Sequence, residues 1–425
     1  MRLFDTYSRS LVELPASPGP VRMYFCGPTV YSRAHVGNAR PFVIGMWLRS
    51  WLRSNGYDVT LVHNITDVND KIYDAAPGAS AALAMRATAW YLEDTGDLGL
   101  GMPDKLPKVT DHMPAIVSFI EDLVDRDFAY AVDGDVYFRV ARFPEYGRLS
   151  GQRPDRVEEQ EPNPRKEDPR DFALWKATKP GEDTHWPSPW SEGRPGWHIE
   201  CSAMAEEILG PAFEIHGGGI DLVFPHHENE LAQSRALGHP FAEIWMHNGL
   251  LQLTGDKMSK SVGNIATIRE VLDRFGRETL LVFFLGGHWR KPIDFSDETM
   301  AQAIAQVESF RNSFRYPGVP GGSWSDFSTA LDNDFDTPRA LSVMHEWRRL
   351  RQFDPLARAL DIFGLGSLGE QEPPPPNLVA LAKRRYDARQ AGNYEKADKL
   401  RAEIESHGWV VRDTPGVGYQ LVRRQ

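Results

Sequence analysis

The sequence predicts an α/β fold: a Rossmann-like parallel sheet followed by mostly helical structure. Three observations predict it. A strand–helix–strand pattern occupies residues 23–62, an α/β pattern resumes over residues 197–247, and helical patterns dominate beyond Phe295. Strand, helix and strand over so short a length is typical of a parallel sheet with a right-handed crossover.

The first strand–helix–strand unit has clear boundaries. A short apolar run at residues 23–25 ends before Gly27-Pro28, and apolar residues then recur at helical spacing over residues 43–52. Asn55-Gly56 predicts the end of this helix, because glycine tolerates the left-handed conformation in which helices end. A β-rich run follows at residues 59–62. The loop after the first strand is therefore where we expect nucleotide chemistry.

The pattern then changes, which indicates an insertion into the sheet domain. A helix is predicted over residues 116–127 and a short strand over residues 135–138, before a proline-containing charged stretch at residues 153–170 that reads as a solvated surface loop. Beyond the sheet domain, loops are predicted at residues 317–322 and at the four prolines 373–376. The chain finishes with a basic helical segment and a predicted hairpin of residues 409–411 and 419–422.

Length and charge limit the classes of function. A chain of 425 residues is expected to form two to four domains. Its net charge of −11 excludes a uniformly basic nucleic-acid coat but not a local basic patch. Two cysteines far apart in the sequence suggest a reducing compartment. No secretory signal is visible, and the apolar stretches are too short to span a bilayer. We therefore expect a cytoplasmic protein without membrane contact.

Four residues have side chains that zinc prefers. Cys26 ends the first strand, Cys201 lies in a second motif-like segment, and His226 and Glu230 are spaced i, i+4, which puts both on one face of a helix. From the residues alone the alternative stays open, because a buried cysteine is more often a small hydrophobic residue.

Three further segments suit phosphate or nucleotide binding. His35 and Gly37 precede the first helix, where free N–H groups attract phosphate. Lys257 and Lys260 lie in a segment rich in glycine and hydroxyl groups that could close on pyrophosphate charge, and a glycine-rich stretch ends at Asp221. Taken singly, each segment could equally be a plain turn or an exposed loop.

Joined in this order, the segments point to a known family. His-x-Gly-Asn at residues 35–38 and Lys-Met-Ser-Lys-Ser at residues 257–261 resemble the two signatures of class I aminoacyl-tRNA synthetases. Four longer segments are similar to the cysteinyl-tRNA synthetase family, and they lie at residues 25–31, 64–68, 196–204 and 224–230. The resemblance runs from about Leu3 to the end of the chain.

The resemblance implies a site for each step of an adenylate-forming reaction. Zinc, one ion per chain, would be held by Cys26, Cys201, His226 and Glu230 and would bind the substrate cysteine as thiolate, which excludes serine. The implied substrate-binding residues are Gly27, Thr29, Thr66, Trp197 and His198. The implied ATP-binding residues are His35, Gly37, Asn38, Gly219, Asp221 and Lys260. The implied catalytic residues are His35, Asn38, Lys257 and Lys260.

The implied activity is that of an ATP-dependent ligase. L-Cysteine and magnesium-bound ATP would form an adenylate, and cysteine tRNA would accept the aminoacyl group, on a chain that we expect to be a monomer. The implied domains are a Rossmann-like catalytic domain (1–113 and 186–245), a connective insertion (114–185), a stem-contact region (246–298), a helical bundle (299–376) and a small α+β tRNA-binding module (377–425).

The sequence departs from the family pattern in three places. Asn38 stands where many class I enzymes carry histidine, and its side chain suits a helix N-cap ahead of Pro41. Asn69 stands where the family more often has aspartate. The helical region at residues 337–373 is shorter than in typical bacterial relatives, which leaves the grip on the tRNA open.

Two other functions compete with this interpretation. A cysteine:aminosugar ligase of the mycothiol pathway would share the sheet, the zinc and the adenylate step, but it has no use for the synthetase-like tail at residues 394–401 and 408–415. An RNA-binding or zinc-sensing protein that has lost catalysis would gain nothing from Lys257, Lys260 and His35. The interpretation as a cysteinyl-tRNA synthetase requires Cys26 and Cys201 to lie together in the folded chain.

Overall fold

The computed structural model describes residues 1–153, 163–252, 266–370, 374–414 and 418–423. The strands of this part of the chain are β1 (Arg2–Asp5), β2 (Ser10–Glu13), β3 (Pro20–Phe25), β4 (Asp58–His63), β5 (Ala129–Val132), β6 (Asp135–Phe138), β7 (Phe172–Ala177), β8 (Gly193–Pro195), β9 (Ala212–Gly219), β10 (Phe241–Asn248), β11 (Leu251–Gln252), β12 (Ile293–Asp294), β13 (Trp409–Thr414) and β14 (Gly418–Arg423).

The helices complete the architecture. They are α1 (Val36–Ser54), α2 (Asp70–Ala75), α3 (Ser80–Gly96), α4 (Met113–Asp125), α5 (Trp197–Leu209), α6 (Glu228–Ala236), α7 (Ile268–Phe275), α8 (Arg277–Leu285), α9 (Asp297–Ser313), α10 (Ser325–Asp332), α11 (Thr337–Leu350), α12 (Phe353–Ile362), α13 (Pro376–Gln390) and α14 (Tyr394–Ser406). No helix in these described ranges combines the length and the apolar character that crossing a bilayer demands.

A parallel sheet of four strands, in the order β10-β9-β3-β4, forms the centre of the fold. The predicted α/β class is therefore confirmed. Both predicted strands of the first unit are present as β3 and β4, and α1 crosses between them. The helix ends at the predicted stop, with Asn55 as its C-cap and Gly56 at φ +84°.

The start of α1 differs from the prediction. The helix begins at Val36, so Asn38 is its third residue and not its N-cap; the N-cap is His35, whose side chain makes no capping hydrogen bond. The N–H of Val36 instead donates to the carbonyl of Ala266 at 2.9 Å. A distant strand-like contact therefore fixes where this helix starts, and no local side chain does.

The insertion folds as an antiparallel sheet in the order β5-β6-β7-β8. It contains the predicted helix, as α4, and the predicted strand, as β6. Helices α9 to α12 follow the parallel sheet, and the predicted terminal hairpin is confirmed as β13 and β14. The hairpin packs with α13 and α14 around Trp409 and Ile404. Lys257 and Lys260 lie outside the described residues, as does part of the proline run, of which Pro376 begins α13.

Candidate functional site

A cleft of about 390 Å³ lies at the carboxyl ends of the parallel strands. This edge is where open α/β sheets bind ligands, because the loops that leave successive strands meet there. Nine of the predicted site residues line the cleft: Cys26, Gly27, Thr29, His35, Gly37, Asn38, Trp197, Gly219 and Asp221. The cleft therefore unites residues that are almost 200 positions apart in the chain.

The four predicted zinc ligands converge beside this cleft. One sulfur, nitrogen or oxygen atom from each of Cys26, Cys201, His226 and Glu230 lies within 4.8 Å of the other three. The Nε2 atom of His226 is 3.1 Å from Oε1 of Glu230, as the i, i+4 spacing predicts. Two thiols, an imidazole and a carboxylate are a donor set that suits a tetrahedral zinc ion. The residues present thus fit the metal that the family resemblance implies.

Two more histidines meet the same centre. Cys26 and Glu230 also form a second compact group with His216 and His227, and Nε2 of His216 is 3.1 Å from Oε2 of Glu230. Among the described residues Nε2 of His227 has no hydrogen-bond partner, and its Nδ1 lies 2.7 Å from Nε2 of His247. Sequence reasoning did not assign these side chains to the centre. His216 reaches it because β9 pairs with β3, and nothing in the local sequence announces that pairing.

Burial decides the electrostatics of the cluster. Desolvation lowers the pKa of His226 far below its ordinary range and raises the pKa of Glu230 well above its own, because each charged form is disfavoured away from water. Burial also raises the pKa of the Cys26 thiol, with hydrogen bonding and charge repulsion from Cys201 adding to the effect. Without a cation, Cys26, His226 and Glu230 are therefore uncharged and poorly solvated, and a divalent ion would complement them.

The ring of His198 contacts the ring of His226 through their Nδ1 atoms. The Nδ1 atoms of the two rings lie 3.0 Å apart, so one ring donates and the other accepts. If Nε2 of His226 offers its lone pair to a metal, Nδ1 carries the proton and donates to His198. His198 itself lines a neighbouring cavity and not the cleft.

Close backbone contacts shape the floor of the cleft. The N–H of Gly27 donates to Oδ1 of Asn64 at 2.8 Å, and a Cβ at Gly27 would lie 1.7 Å from the carbonyl oxygen of Asn64. Thr29 and Thr66 form a parallel bridge beside it, and the Thr66 hydroxyl is 3.4 Å from Oε2 of Glu200. Thr66 is thus buried in the wall behind the cleft, and only glycine fits at position 27.

The turn before α1 is tied to the segment that follows the Lys257 region. The N–H of Ile268 donates to the carbonyl of Ala34 at 2.9 Å, and His35 bridges Thr267. Burial lowers the pKa of His35, partly opposed by the charge of Asp221, so the imidazole is neutral at pH 7. A neutral His35 can donate one hydrogen bond to a phosphate oxygen. Lys257 and Lys260 are not among the described residues.

The cleft also contains residues that sequence reasoning missed. Lys71 and Asn248 line it, together with Arg33. Lys71 follows the loop after β4, and Asn248 ends β10. The general rule for carboxyl ends of parallel strands could have found both, once the strand order was known.

Comparisons with known proteins agree with this geometry. Residues 13–305 match the family model of the class I (C) tRNA synthetase catalytic domain, and residues 375–420 match that of the cysteinyl-tRNA ligase anticodon binding domain. The chain is 44% identical to a cysteine–tRNA ligase of Alkalilimnicola ehrlichii over 94% of this chain and 95% of the relative. It is 40% identical to that of Pseudothermotoga lettingae over the full length of both chains.

Solved structures show the same fold at low sequence identity. Methionyl-tRNA synthetase of Mycobacterium tuberculosis, bound to methionyl-adenylate, aligns with a TM-score of 0.55 at 16% identity, covering 91% of this chain and 89% of that one. The LeuRS of Agrobacterium radiobacter in a ternary complex with tRNA aligns with a TM-score of 0.55 at 10% identity, covering 83% and 84%. These two likenesses concern the fold alone.

Proposed function

The chain belongs to the cysteinyl-tRNA synthetase family of ATP-dependent ligases, and from this premise we propose that it joins L-cysteine to cysteine tRNA through a cysteinyl adenylate. The observation that carries the proposal is the convergence of Cys26, Cys201, His226 and Glu230, with Cys26 on the wall of the cleft. The amino-acid side chain then lies at the cluster and the carboxylate points into the cleft.

Selection of cysteine rests on the four donors. They would hold one zinc ion, which supplies a soft Lewis acid for the thiolate of the substrate. Serine offers only a hydroxyl, a much poorer ligand, so discrimination at the first step needs no separate editing site. Gly27, Thr29, Thr66, Trp197 and His198 would surround or support the bound amino acid.

Activation is proposed to depend on position and charge. His35, Gly37 and Asn38, at the amino end of α1, would hold the phosphates of magnesium-bound ATP, and Gly219 and Asp221 would hold its ribose side. The substrate carboxylate attacks the α-phosphorus in line, and pyrophosphate leaves without a covalent enzyme intermediate. Lys257 and Lys260 would stabilise the charge that develops on pyrophosphate.

The acceptor is proposed to be tRNA and not an aminosugar. The match of residues 375–420 to an anticodon-binding domain model supports this choice, since a sugar ligase has no anticodon to bind. The module also carries basic side chains on an otherwise acidic chain. We further propose that the chain acts as a cytoplasmic monomer and that its domain limits follow those given above.

Cysteine-dependent pyrophosphate–ATP exchange tests the proposal. We expect exchange with cysteine and not with serine, loss of exchange after chelation, and recovery with zinc.

Lys260→Ala should slow exchange about a hundredfold without changing cysteine binding, whereas Lys291→Ala, an exposed lysine outside the cleft, should behave as the parent. Charging of an aminosugar in preference to cysteine tRNA would contradict the proposed acceptor, and exchange that survives zinc removal would contradict the metal's role.

A further inference from the structure

Tyr24 is a buried tyrosine beside the metal cluster, and none of the proposed steps uses it. It lies on β3 two residues before Cys26, the spacing at which side chains of an extended chain share one face. Its side chain is inaccessible to solvent, and its hydroxyl oxygen has no hydrogen-bond partner among the described residues. A buried hydroxyl group without a partner is destabilising, so its retention points to a partner that arrives later.

The hydroxyl of Tyr24 is surrounded by three of the proposed zinc ligands. Burial raises the pKa of Tyr24 well above its ordinary value of 10, and the charges of Cys201, Cys26 and Glu230 add to that rise. The sulfur of Cys201 lies within reach of the hydroxyl, but the two do not form a hydrogen bond of normal geometry. Tyr24 therefore keeps its proton near neutral pH and has a donor to offer at this side of the cluster.

The ring of Tyr24 is held in one orientation by its neighbours. It stacks on the imidazole of His216, with ring centroids 5.4 Å apart and planes inclined by 20°, and the two residues are paired in the register of β3 and β9. Nε2 of His216 in turn lies 3.7 Å from Sγ of Cys26 and 3.1 Å from Oε2 of Glu230. The hydroxyl is thus fixed relative to the cluster.

We propose that Tyr24 is a positioning residue for the metal, whose hydroxyl donates a hydrogen bond to Sγ of Cys201 when that sulfur binds zinc. The inference rests on the proposed function, in which Cys201 is one of four zinc ligands. A thiol that coordinates zinc loses its proton, and the charged sulfur is a stronger acceptor than the neutral thiol. The hydrogen bond gives the Tyr24 hydroxyl its partner and takes up part of the negative charge on Cys201. The ion then keeps more positive charge for the thiolate of the substrate.

Tyr24→Phe removes only the hydroxyl and tests the proposal on the full-length protein. Zinc affinity, measured by competition with a chromophoric chelator, should fall about tenfold, as for other groups that hydrogen-bond to a metal ligand. In the cobalt-substituted protein the thiolate-to-cobalt absorption should move to longer wavelength, because a thiolate without this hydrogen bond gives up electron density more readily. The midpoint of denaturant unfolding after chelation should not fall, since the hydroxyl that is removed has no partner there.

Tyr130→Phe is the matched control. Tyr130 is also buried, but it lies on β5 of the insertion sheet, where its hydroxyl donates to Oδ2 of Asp171 at 2.9 Å and accepts from the N–H of Glu167 at 2.6 Å. This variant should unfold at a lower denaturant concentration, whereas its zinc affinity and its cobalt absorption should match those of the parent.

Two results would overturn the assignment. Unchanged zinc affinity and cobalt absorption in Tyr24→Phe would show that the hydroxyl does not contact the metal-bound sulfur. Weaker zinc binding with an unshifted cobalt band and a lowered unfolding midpoint would show that Tyr24 only supports the local packing. Failure of the proposed function gives a different result, namely a parent protein that binds zinc but shows no cysteine-dependent exchange.

Discussion

The Sγ atoms of Cys26 and Cys201 lie 3.8 Å apart although 175 residues separate them in the chain. Cys26 follows β3 in the centre of the parallel sheet, whereas Cys201 is in the second turn of α5. Both are buried free thiols. Because no local Cys-x-x-Cys motif exists, this juxtaposition is made entirely by the tertiary fold.

Replacing one of these thiols should remove the metal and the selectivity together. Cys201→Ser is expected to weaken zinc binding by more than about a hundredfold, because a hydroxyl is a poor zinc ligand. Loss of a residue that only hydrogen-bonds to a ligand costs up to about a hundredfold, so loss of a ligand itself should cost more. Metal content after dialysis and the thiolate-to-cobalt absorption of the cobalt-substituted protein measure the loss directly. Ser202→Ala, at the neighbouring buried position, should keep its zinc; a Cys201→Ser protein with full metal content would show that the ligand set is wrong.

Gly27 should tolerate no side chain. A Cβ at this position would meet the Asn64 carbonyl oxygen at 1.7 Å, so Gly27→Ala must push apart the two loops that follow β3 and β4. We expect a loss of roughly 1–3 kcal/mol in the free energy of unfolding and weaker binding of cysteine. Denaturant unfolding and an exchange assay measure the two effects. Gly96→Ala is the control, since no described atom beyond its chain neighbours and its own helix backbone lies within 4 Å of the added Cβ. An equal loss there would show that the Gly27 contact is not the cause.

The sequence predicted the elements whose signals are local. The apolar run that becomes β3, the Asn55-Gly56 stop of α1 and the strand β6 depend on neighbouring residues, and each was found where it was expected. The metal cluster was predicted from motif resemblance. Its geometry depends on contacts between distant segments of the chain, which the sequence does not show. The structure supplies the distances, while the roles of the site residues stay predictions.

What the sequence missed depends on contacts between distant segments. The predicted start of α1 was wrong because the first N–H of the helix donates to the carbonyl of Ala266, and the side chain of Asn38 does not cap the helix. His216 was overlooked as a neighbour of Glu230 because β9 joins β3 only in three dimensions. Strands β1, β2 and β8 are three or four residues long, too short to show a period that differs from that of a loop.

Asn69 should be replaceable by aspartate but not by alanine. It is the N-cap of α2, and its side-chain oxygen accepts a hydrogen bond from the Lys71 N–H at 3.1 Å. Asparagine and aspartate cap helices about equally well, so Asn69→Asp should leave stability nearly unchanged, whereas Asn69→Ala should cost about 1 kcal/mol. Thermal unfolding of the parent and the two variants, compared at one pH, measures these differences in stability. If aspartate proves as damaging as alanine, the residue acts through something other than the cap.

The final prediction concerns pH and the terminal module of α13, α14, β13 and β14. Nη2 of Arg385 donates to Oδ2 of Asp413 at 2.8 Å, and Arg389 donates to the same oxygen at 2.6 Å. The hydrogen bonds from Arg385 hold the pKa of Asp413 below its ordinary value of 3.8. Since the folded pKa is the lower one, the stabilisation is complete above that ordinary value and is lost as the pH falls through the folded pKa.

Asp413→Asn should therefore destabilise the module near neutral pH and matter little in acid. The Arg385 side chain is only 4% exposed, so losing its partner leaves a buried guanidinium, but Asp413 is 37% exposed and solvent screening limits the effect to about 1 kcal/mol. Hydrogen exchange of the α13 and α14 amides, compared between parent and variant at each pH, measures the difference. It should shrink as the pH falls below about 4, toward the lowered pKa of Asp413. Asp387→Asn, an exposed carboxylate on α13, should show no such dependence, and a difference that grows in acid would mean that the Arg385–Asp413 pair does not stabilise the module.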